Sequence, residues 1–205
     1  MAGNEIYARQ VFINCPFSDD YRPLFEAIVF AVAACGFRPR CALEADDGGE
    51  VRVEKVARII RACRFGIHDI SFMELDEGSG LARLNMAFEL GLFLGAKWFG
   101  TRSIKDKLAL ILDQDRYRYQ KAISDIAGQD IRAHGGEVER AIRHVRDWLS
   151  TATEEDIPGG AAIAGRYREF AKDLPSLCVE LKLSHDSMTF ADLAKVIVRW
   201  LKAAS

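Results

Sequence analysis

The sequence lacks most of the short motifs by which enzymes and metal proteins are recognised. It has no Gly-x-Gly-x-x-Gly or Walker phosphate loop and no Gly-x-Ser-x-Gly nucleophile elbow. The four histidines show no metal-ligand spacing, and the five cysteines are odd in number and include no Cys-x-x-Cys pair. We therefore expect neither a disulfide framework nor a metal site.

Long apolar runs and a strong charge of one sign are absent as well. The longest apolar run, residues 27–35, is far shorter than the ~20 residues that span a bilayer. The N-terminal segment MAGNEIYARQ is polar and lacks the apolar stretch of a secretory signal. The formal net charge of −2 gives no electrostatic case for nucleic acid as the main ligand. We expect a cytoplasmic protein with neither a membrane nor a nucleic-acid partner.

What the sequence does contain is an alternation of strand-like and helix-like segments. Short apolar runs predict strands at residues 11–13, 37–43, 65–70 and 108–112 and around Ile131. The segments between these runs mostly repeat apolar residues at helical spacing. Strands that alternate with helices form a parallel sheet covered on both faces. The sequence therefore predicts an α/β fold, a flavodoxin-like doubly wound five-stranded parallel sheet in the order 2-1-3-4-5.

The pattern changes after this block. Residues 1–150 form the predicted α/β domain, and residues 151–205 a linker with a C-terminal helical extension. Residues 151–165 are rich in Thr, Gly, Ala and acids, which is typical of a linker. Of the two helices predicted after it, the first is expected to be interrupted at Pro175. The second has an apolar face that includes Trp200 and must be buried, either on the α/β core or on another subunit.

The predicted strand order also places a ligand crevice. In doubly wound sheets ligands bind beyond the carboxyl ends of the strands, where the strand order reverses, here between the first and third strands. The candidate substrate-binding residues selected by this rule are Asn14, Pro16, Phe17, Ser18, Asp69, Ser71 and Asn85. The helix start after Ser18 suits a phosphate. Asp69 fits two interpretations equally well, a ligand contact or a turn that ends its strand.

Glu89 is the only ionisable residue of an apolar helix predicted over residues 84–96. A helix that is apolar almost all round is normally buried. A buried carboxylate must be paired, protonated or facing a polar cavity. Gly91 and Gly95 are expected to let another backbone approach closely. Two interpretations of Glu89 stay open: an internal partner of an arginine or a backbone group, or the stabiliser of a positively charged sugar in a glycosidic transition state.

Residues 116–119 read Arg-Tyr-Arg-Tyr and form a further candidate segment. Rings and guanidinium groups are suited to stack on a base and to meet phosphates. The same residues are also typical of a solvated helix start, and the sequence leaves both interpretations open.

Three motifs in order resemble the nucleoside 2-deoxyribosyltransferase and TIR-like superfamily. They are Phe12-Ile13-Asn14-Cys15-Pro16-Phe17, then Phe65-Gly66-Ile67-His68-Asp69-Ile70-Ser71, then Asn85-Met86-Ala87-Phe88-Glu89-Leu90-Gly91 with Gly95-Ala96-Lys97. The resemblance covers about residues 10–150, and Asn-x-x-x-Glu-Leu-Gly is its most specific part. A charged insertion, residues 101–107, and the helical tail depart from the family pattern.

The resemblance implies a flavodoxin-like fold and cleavage of the N-glycosidic bond of NAD. Glu89 would be the catalytic glutamate, and Asp69 would help bind a nucleotide-type substrate. NAD would be a substrate, so no cofactor is expected. A homo-oligomer and a role in antiphage defence are also implied. The alternatives are a nucleoside 2-deoxyribosyltransferase, a non-catalytic nucleotide sensor and a protein-interaction module.

Overall fold

A computed structural model describes residues 2–44, 47–73, 82–101 and 104–204 of the chain. Most of the loop predicted before the Glu89 helix, residues 74–81, lies outside the described residues. So do residues 102 and 103 of the predicted insertion.

Five strands form one parallel sheet in the order β2-β1-β3-β4-β5. They are β1 (Gln10–Asn14), β2 (Arg38–Arg40), β3 (Phe65–Asp69), β4 (Leu108–Asp113) and β5 (Ile131–Ala133). In register, Asn14 lies beside His68, and Asp69 lies beside Leu112. The α/β class and the flavodoxin-like strand order predicted from the sequence are confirmed.

Helices cover both faces of this sheet because both faces are apolar. The helices of the described residues are α1 (Ala2–Ala8), α2 (Arg22–Ala34), α3 (Arg52–Ala62), α4 (Asn85–Phe99), α5 (Val138–Ala152), α6 (Gly160–Leu181) and α7 (Phe190–Ala203). Side chains of a strand alternate between faces. Val11 and Ile13 accordingly pack with α2 and α5, whereas Phe12 packs with α3 and with Phe93 of α4. None of the described helices combines the length and apolar character needed to cross a bilayer.

The C-terminal segment differs from its prediction in two respects. The linker predicted over residues 151–165 is wrong for its last part, because α6 begins at Gly160 and buries Ile163 in the core. Pro175 does not interrupt α6, which runs for 22 residues through it. The proline removes one helical hydrogen bond, but burial of Leu174 and Cys178 around it holds the helix together.

The apolar face of α7 is buried against this chain's own core. The Trp200 ring lies 5.9 Å from that of Phe30 on α2 and 5.7 Å from that of Phe170 on α6. Its indole nitrogen donates to Asp173 at 2.8 Å. Of the two locations that the sequence left open for this face, the structure therefore shows the core.

Helix α4 is less covered than its composition predicts. Glu89, Leu90, Phe93 and Leu94 are its buried residues, and Phe88, Trp98 and Phe99 are exposed. The expected close approach of a backbone at Gly91 and Gly95 is also wrong: among the described residues no atom comes within 4 Å of a Cβ built at either glycine. One side of α4 packs on the sheet, and the apolar residues of the other side remain on the surface.

Candidate functional site

Asn14 joins the three segments that the strand-end rule selected. Its side-chain nitrogen donates to the carbonyl of Met86 in the first turn of α4, at 2.8 Å. The same nitrogen lies 3.1 Å from Nδ1 of His68 on β3. The end of β1, the end of β3 and the start of α4 therefore meet, as predicted. The side-chain nitrogen of Asn14 thus bonds β1 to both β3 and α4.

His68 lies on β3 where the ends of β1 and β3 meet the start of α4. The side chain is fully buried, and burial lowers its pKa to about 3, so the ring is neutral. Nδ1 accepts from Asn14, which places the ring proton on Nε2, and Nε2 has no hydrogen-bond partner among the described residues. The ring instead packs edge-on against Phe93, with centroids 4.8 Å apart.

Glu89 lies in the second turn of α4 and is only 6% exposed. Its Oε1 is 3.6 Å from Nη2 of Arg52, the first residue of α3, which is longer than a hydrogen bond. The Arg52 side chain is 55% exposed, so this arginine is not an internal partner. Burial raises the pKa of Glu89, and the nearby charge of Arg52 opposes the rise. The structure thus holds a buried carboxylate that is only loosely paired.

Two buried thiols, Cys15 and Cys41, lie near the carboxylate. Burial raises the pKa of Cys41 to about 12, and it raises the pKa of Cys15 well above its ordinary value. The charge of Glu89 contributes to both shifts. Because only a thiolate is a strong nucleophile, these cysteines act as apolar neighbours of Glu89 and not as reactive groups.

Asp69 is the centre of a closed hydrogen-bond network. It accepts from the hydroxyl of Tyr21 at 2.5 Å, from the backbone N–H and hydroxyl of Ser71 at 2.9 and 2.5 Å, and from Nε2 of His134 at 2.9 Å. Burial alone would raise the pKa of Asp69, but the bonds from His134, Ser71 and Tyr21 outweigh it and lower the pKa. Asp69 is therefore an ionised internal acceptor.

Ser71, His134 and Asp69 do not form a nucleophilic triad, although all three lie together. The backbone N–H of Gly136 donates to Nδ1 of His134 at 2.9 Å, so Nε2 carries the proton. Nε2 is 3.0 Å from the Ser71 hydroxyl, but that hydroxyl donates to Asp69. A nitrogen that already holds a proton cannot take one from Ser71. Of the two interpretations of Asp69, the structure favours the turn that ends its strand, which the bonds from Ser71 form, while Tyr21 and His134 add bonds from distant segments.

A second buried carboxylate, Asp113, ends β4, but its Oδ2 has no hydrogen-bond partner among the described residues. Oδ1 accepts from Nε and Nη2 of Arg118 at 2.9 and 2.6 Å and from the backbone of Gln114 at 2.7 Å. Arg118 also donates to the carbonyls of Ile70, at 3.0 Å, and Ser71. This arginine therefore fastens the loop after β4 to the end of β3.

The segment that follows β1 lies apart from these groups. Pro16, Phe17 and Ser18 line a cavity of about 100 Å³ whose other walls come from α2 and the segment around His185 and Phe190. A short 3₁₀ turn, Asp19–Tyr21, precedes α2, and the Ser18 side chain caps neither. The Ser18 hydroxyl is buried without a hydrogen-bond partner among the described residues and lines this cavity, and the phosphate site at this helix start stays a prediction.

Asn85 begins α4 one turn before Glu89 and is exposed. The structure therefore joins Asn14 to the start of α4 and Ser71 to Asp69, whereas Pro16, Phe17 and Ser18 line a cavity whose walls do not include Glu89. The residues missed from the sequence are Tyr21, Asp113 and His134, and Arg118 was singled out only as part of the Arg-Tyr-Arg-Tyr segment. Asp113 and His134 follow the fourth and fifth strands, so the strand-end rule would have found them if it had been applied to every strand.

Comparison of the chain with protein-family models, with curated proteins and with solved structures finds no match. The function is therefore argued from the geometry of the site and from the resemblance in its motifs.

Proposed function

We propose that the chain cleaves the N-glycosidic bond of NAD, with Glu89 as its catalytic carboxylate. The observation that carries the proposal is the state of this side chain. It is 6% exposed, loosely paired and located at the carboxyl edge of a parallel sheet. A structural glutamate in such surroundings would be expected to have its oxygens saturated, as those of Asp69 are.

The chemistry requires a negative charge in poorly solvated surroundings. When the bond between ribose C1′ and the nicotinamide nitrogen breaks, its electron pair leaves with the neutral nicotinamide, and C1′ becomes cationic. A carboxylate stabilises this cation far better in a dry site than in water. Water then adds to C1′ and releases a proton, which gives ADP-ribose. Addition of an adenine ring nitrogen in place of water would give a cyclic product.

Arg52 has a role in the same proposal. Its charge opposes the rise that burial causes in the Glu89 pKa and so favours the ionised carboxylate. Because the pair is 3.6 Å apart and Arg52 is half exposed, the guanidinium group can turn to a substrate phosphate without leaving a tight ion pair behind.

Self-assembly into a homo-oligomer is included in the proposal. The exposed side chains of Phe88, Trp98 and Phe99 on α4 support it, because a cluster of large apolar residues on a surface is typical of an interaction site. Sedimentation of the protein over a wide range of concentrations tests this part. Location in the cytoplasm and a role in antiphage defence stay predictions from the sequence.

The decisive experiment is incubation of the full chain with NAD, and separately with pairs of deoxynucleosides and free bases, followed by chromatography of the products. Glu89→Gln keeps the shape of the side chain and removes its charge. Glu26→Gln is the matched control, because Glu26 is also a buried carboxylate but binds His185 at 2.8 Å.

We expect nicotinamide release by the wild type and by Glu26→Gln, and its loss in Glu89→Gln. Base exchange in place of nicotinamide release would identify a deoxyribosyltransferase. Saturable NAD binding without turnover at every protein concentration would identify a sensor. Release that is unchanged in Glu89→Gln would contradict the role of Glu89.

A further inference from the structure

The Arg-Tyr-Arg-Tyr segment, residues 116–119, lies in the loop after β4, with two side chains directed toward the core and two directed away from it. Arg118 binds Asp113 and Tyr119 is buried beside α4, so this half of the Arg-Tyr-Arg-Tyr segment is structural. Arg116 and Tyr117 point away from the core and are exposed. The inward pair fixes the loop, and the outward pair stays available for another role.

Tyr117 has an unfavourable backbone conformation. Its φ of 64° lies in the left-handed region, where a bulky side chain is uncommon because Cβ crowds the carbonyl oxygen. The ring is 67% exposed, so burial does not compensate for the strain. Strained residues of this kind cluster at binding sites, where the surrounding structure holds a side chain in position for a ligand.

Two cavities flank this ring. One has a volume of about 980 Å³ and is lined by Asp115, Arg116, Tyr117 and Lys121, among others. The other has a volume of about 410 Å³ and shares Arg116 and Tyr117 with the first. Because the Tyr117 ring lines both cavities, a ligand in either cavity is within reach of it.

Of the four charged residues that line the larger cavity, three form no ion pair with the part of the chain that the structure describes. Arg116, Lys121 and Asp115 are exposed and form no ion pair with any described residue. Arg118, two residues after Arg116 in the same loop, is by contrast fully engaged in hydrogen bonds. The loop also lies at the carboxyl end of β4, the edge of a parallel sheet where ligands bind.

We propose that this loop binds a nucleotide. The Tyr117 ring stacks on the base, Arg116 and Lys121 neutralise the phosphates, and the Asp115 carboxylate accepts from ribose hydroxyls. One ring with two cations fits a single nucleotide, whereas a polynucleotide needs a longer row of cations. The proposal concerns binding alone and does not depend on catalysis by Glu89.

Removal of the ring together with its strain provides the test. Tyr117→Gly deletes the ring at a position where glycine is favoured, so it should raise the melting temperature and weaken binding. Lys182→Gly is the matched control, because Lys182 is also exposed and has a positive φ of 54°, but lies at the end of α6. The probe is ADP, with binding measured by calorimetry.

We expect saturable ADP binding by the wild type and by Tyr117→Phe, which keeps a ring. Tyr117→Gly should lower the affinity by about 5- to 100-fold, the range found for loss of one base–aromatic stack, and Lys182→Gly should leave it unchanged. Arg116→Gln and Lys121→Gln should weaken binding of ADP more than that of adenosine. Glu89→Gln should bind ADP like the wild type, so that failure of binding and failure of cleavage can be told apart.

Three results would overturn the proposal. They are no ADP binding by the wild type, wild-type affinity in Tyr117→Gly, and an equal loss of affinity in Lys182→Gly. If Tyr117→Gly folds poorly, Tyr117→Asn replaces it, since asparagine also tolerates the left-handed region.

Discussion

His134 donates from Nε2 to Oδ2 of Asp69 at 2.9 Å, which ties the turn after β5 to the end of β3. The two residues are far apart in sequence, and both side chains are almost completely buried. Tyr21 reaches the same carboxylate from the turn before α2. One charge therefore holds three separate segments at the carboxyl edge of the sheet.

Replacement of Asp69 by Asn should destabilise the fold strongly. An amide offers one acceptor in place of two and places an NH₂ group against the donors of Tyr21, Ser71 and His134. Breaking a buried charged network of this kind costs about 3–5 kcal/mol. The free energy of unfolding in urea measures the loss, and Asp20→Asn, on the exposed surface nearby, should cost far less.

The same network predicts a dependence on acid. The pKa of Asp69 is lowered in the folded protein, so in mild acid the unfolded chain binds more protons. The stabilisation is complete above the ordinary pKa of 3.8 and is lost as the pH falls through the lower folded value. The difference in stability between wild type and Asp69→Asn should shrink over that range, and a constant difference would contradict it.

Glu89→Gln should leave stability unchanged or raise it, on the order of 1 kcal/mol. Burial raises the pKa of Glu89, so its stabilisation is present below the ordinary pKa of 4.5 and is lost as the pH rises through the folded value. The gain of the variant should thus appear above this range in thermal unfolding. A clear loss of stability would show that the pair with Arg52 is structural.

Because of Lys107, the free energy of unfolding should rise with pH in mild alkali. The side chain is fully buried, its Nζ donates to the carbonyls of Ile60, at 2.7 Å, and Cys63, and burial lowers its pKa to about 8. Between that value and the ordinary 10.5 the unfolded chain binds more protons, so stability rises with pH.

The expected gain over this range is on the order of 3 kcal/mol at most. Lys107→Met should remove it, whereas Lys105→Met, at an exposed position two residues earlier, should keep it. Denaturant unfolding at a series of pH values provides the measurement. Equal pH profiles for the two variants would be inconsistent with a buried amine.

Two glycines should respond to alanine in opposite directions. A Cβ at Gly66 would come within 2.7 Å of Nε2 of His68 and of the Phe93 ring, so Gly66→Ala should cost about 1–3 kcal/mol. Gly91 lies in α4, and among the described residues nothing comes within 4 Å of its Cβ. Gly91→Ala should therefore raise the free energy of unfolding by about 0.5–1 kcal/mol, because alanine has the higher helix propensity. Destabilisation by Gly91→Ala would reveal a backbone contact at this position.

The fold could be predicted because its pattern is local. Apolar strands that alternate with amphipathic helices leave few possible topologies, and the parallel sheet follows from them. The burial of Glu89 was also predictable, because a helix that is apolar almost all round is normally buried together with the charge that it carries. The exposure of Phe99 was not predictable, because the composition of a helix does not show which of its sides packs against the rest of the protein.

The network around Asp69 could not be predicted in detail. Tyr21 is 48 residues from Asp69, and His134 is 63 residues from Ser71, so these contacts exist only after the sheet has formed. Pro175 is a similar case. Its low helix propensity predicts a break in the helix, but burial of the neighbouring side chains in the core keeps α6 continuous. The strand pattern therefore predicted that these segments meet at the carboxyl edge of the sheet, but not the partners of each residue there.

Helix α3 has a buried charged side chain near each of its ends. Glu89 approaches its first residue through Arg52, and the amine of Lys107 binds carbonyls at its last turn. A helix carries a partial positive charge at its amino end and a partial negative charge at its carboxyl end. Both side chains match that polarity, Glu89 through the Arg52 side chain and Lys107 directly, so α3 opposes the shift that burial causes in each pKa without reversing it.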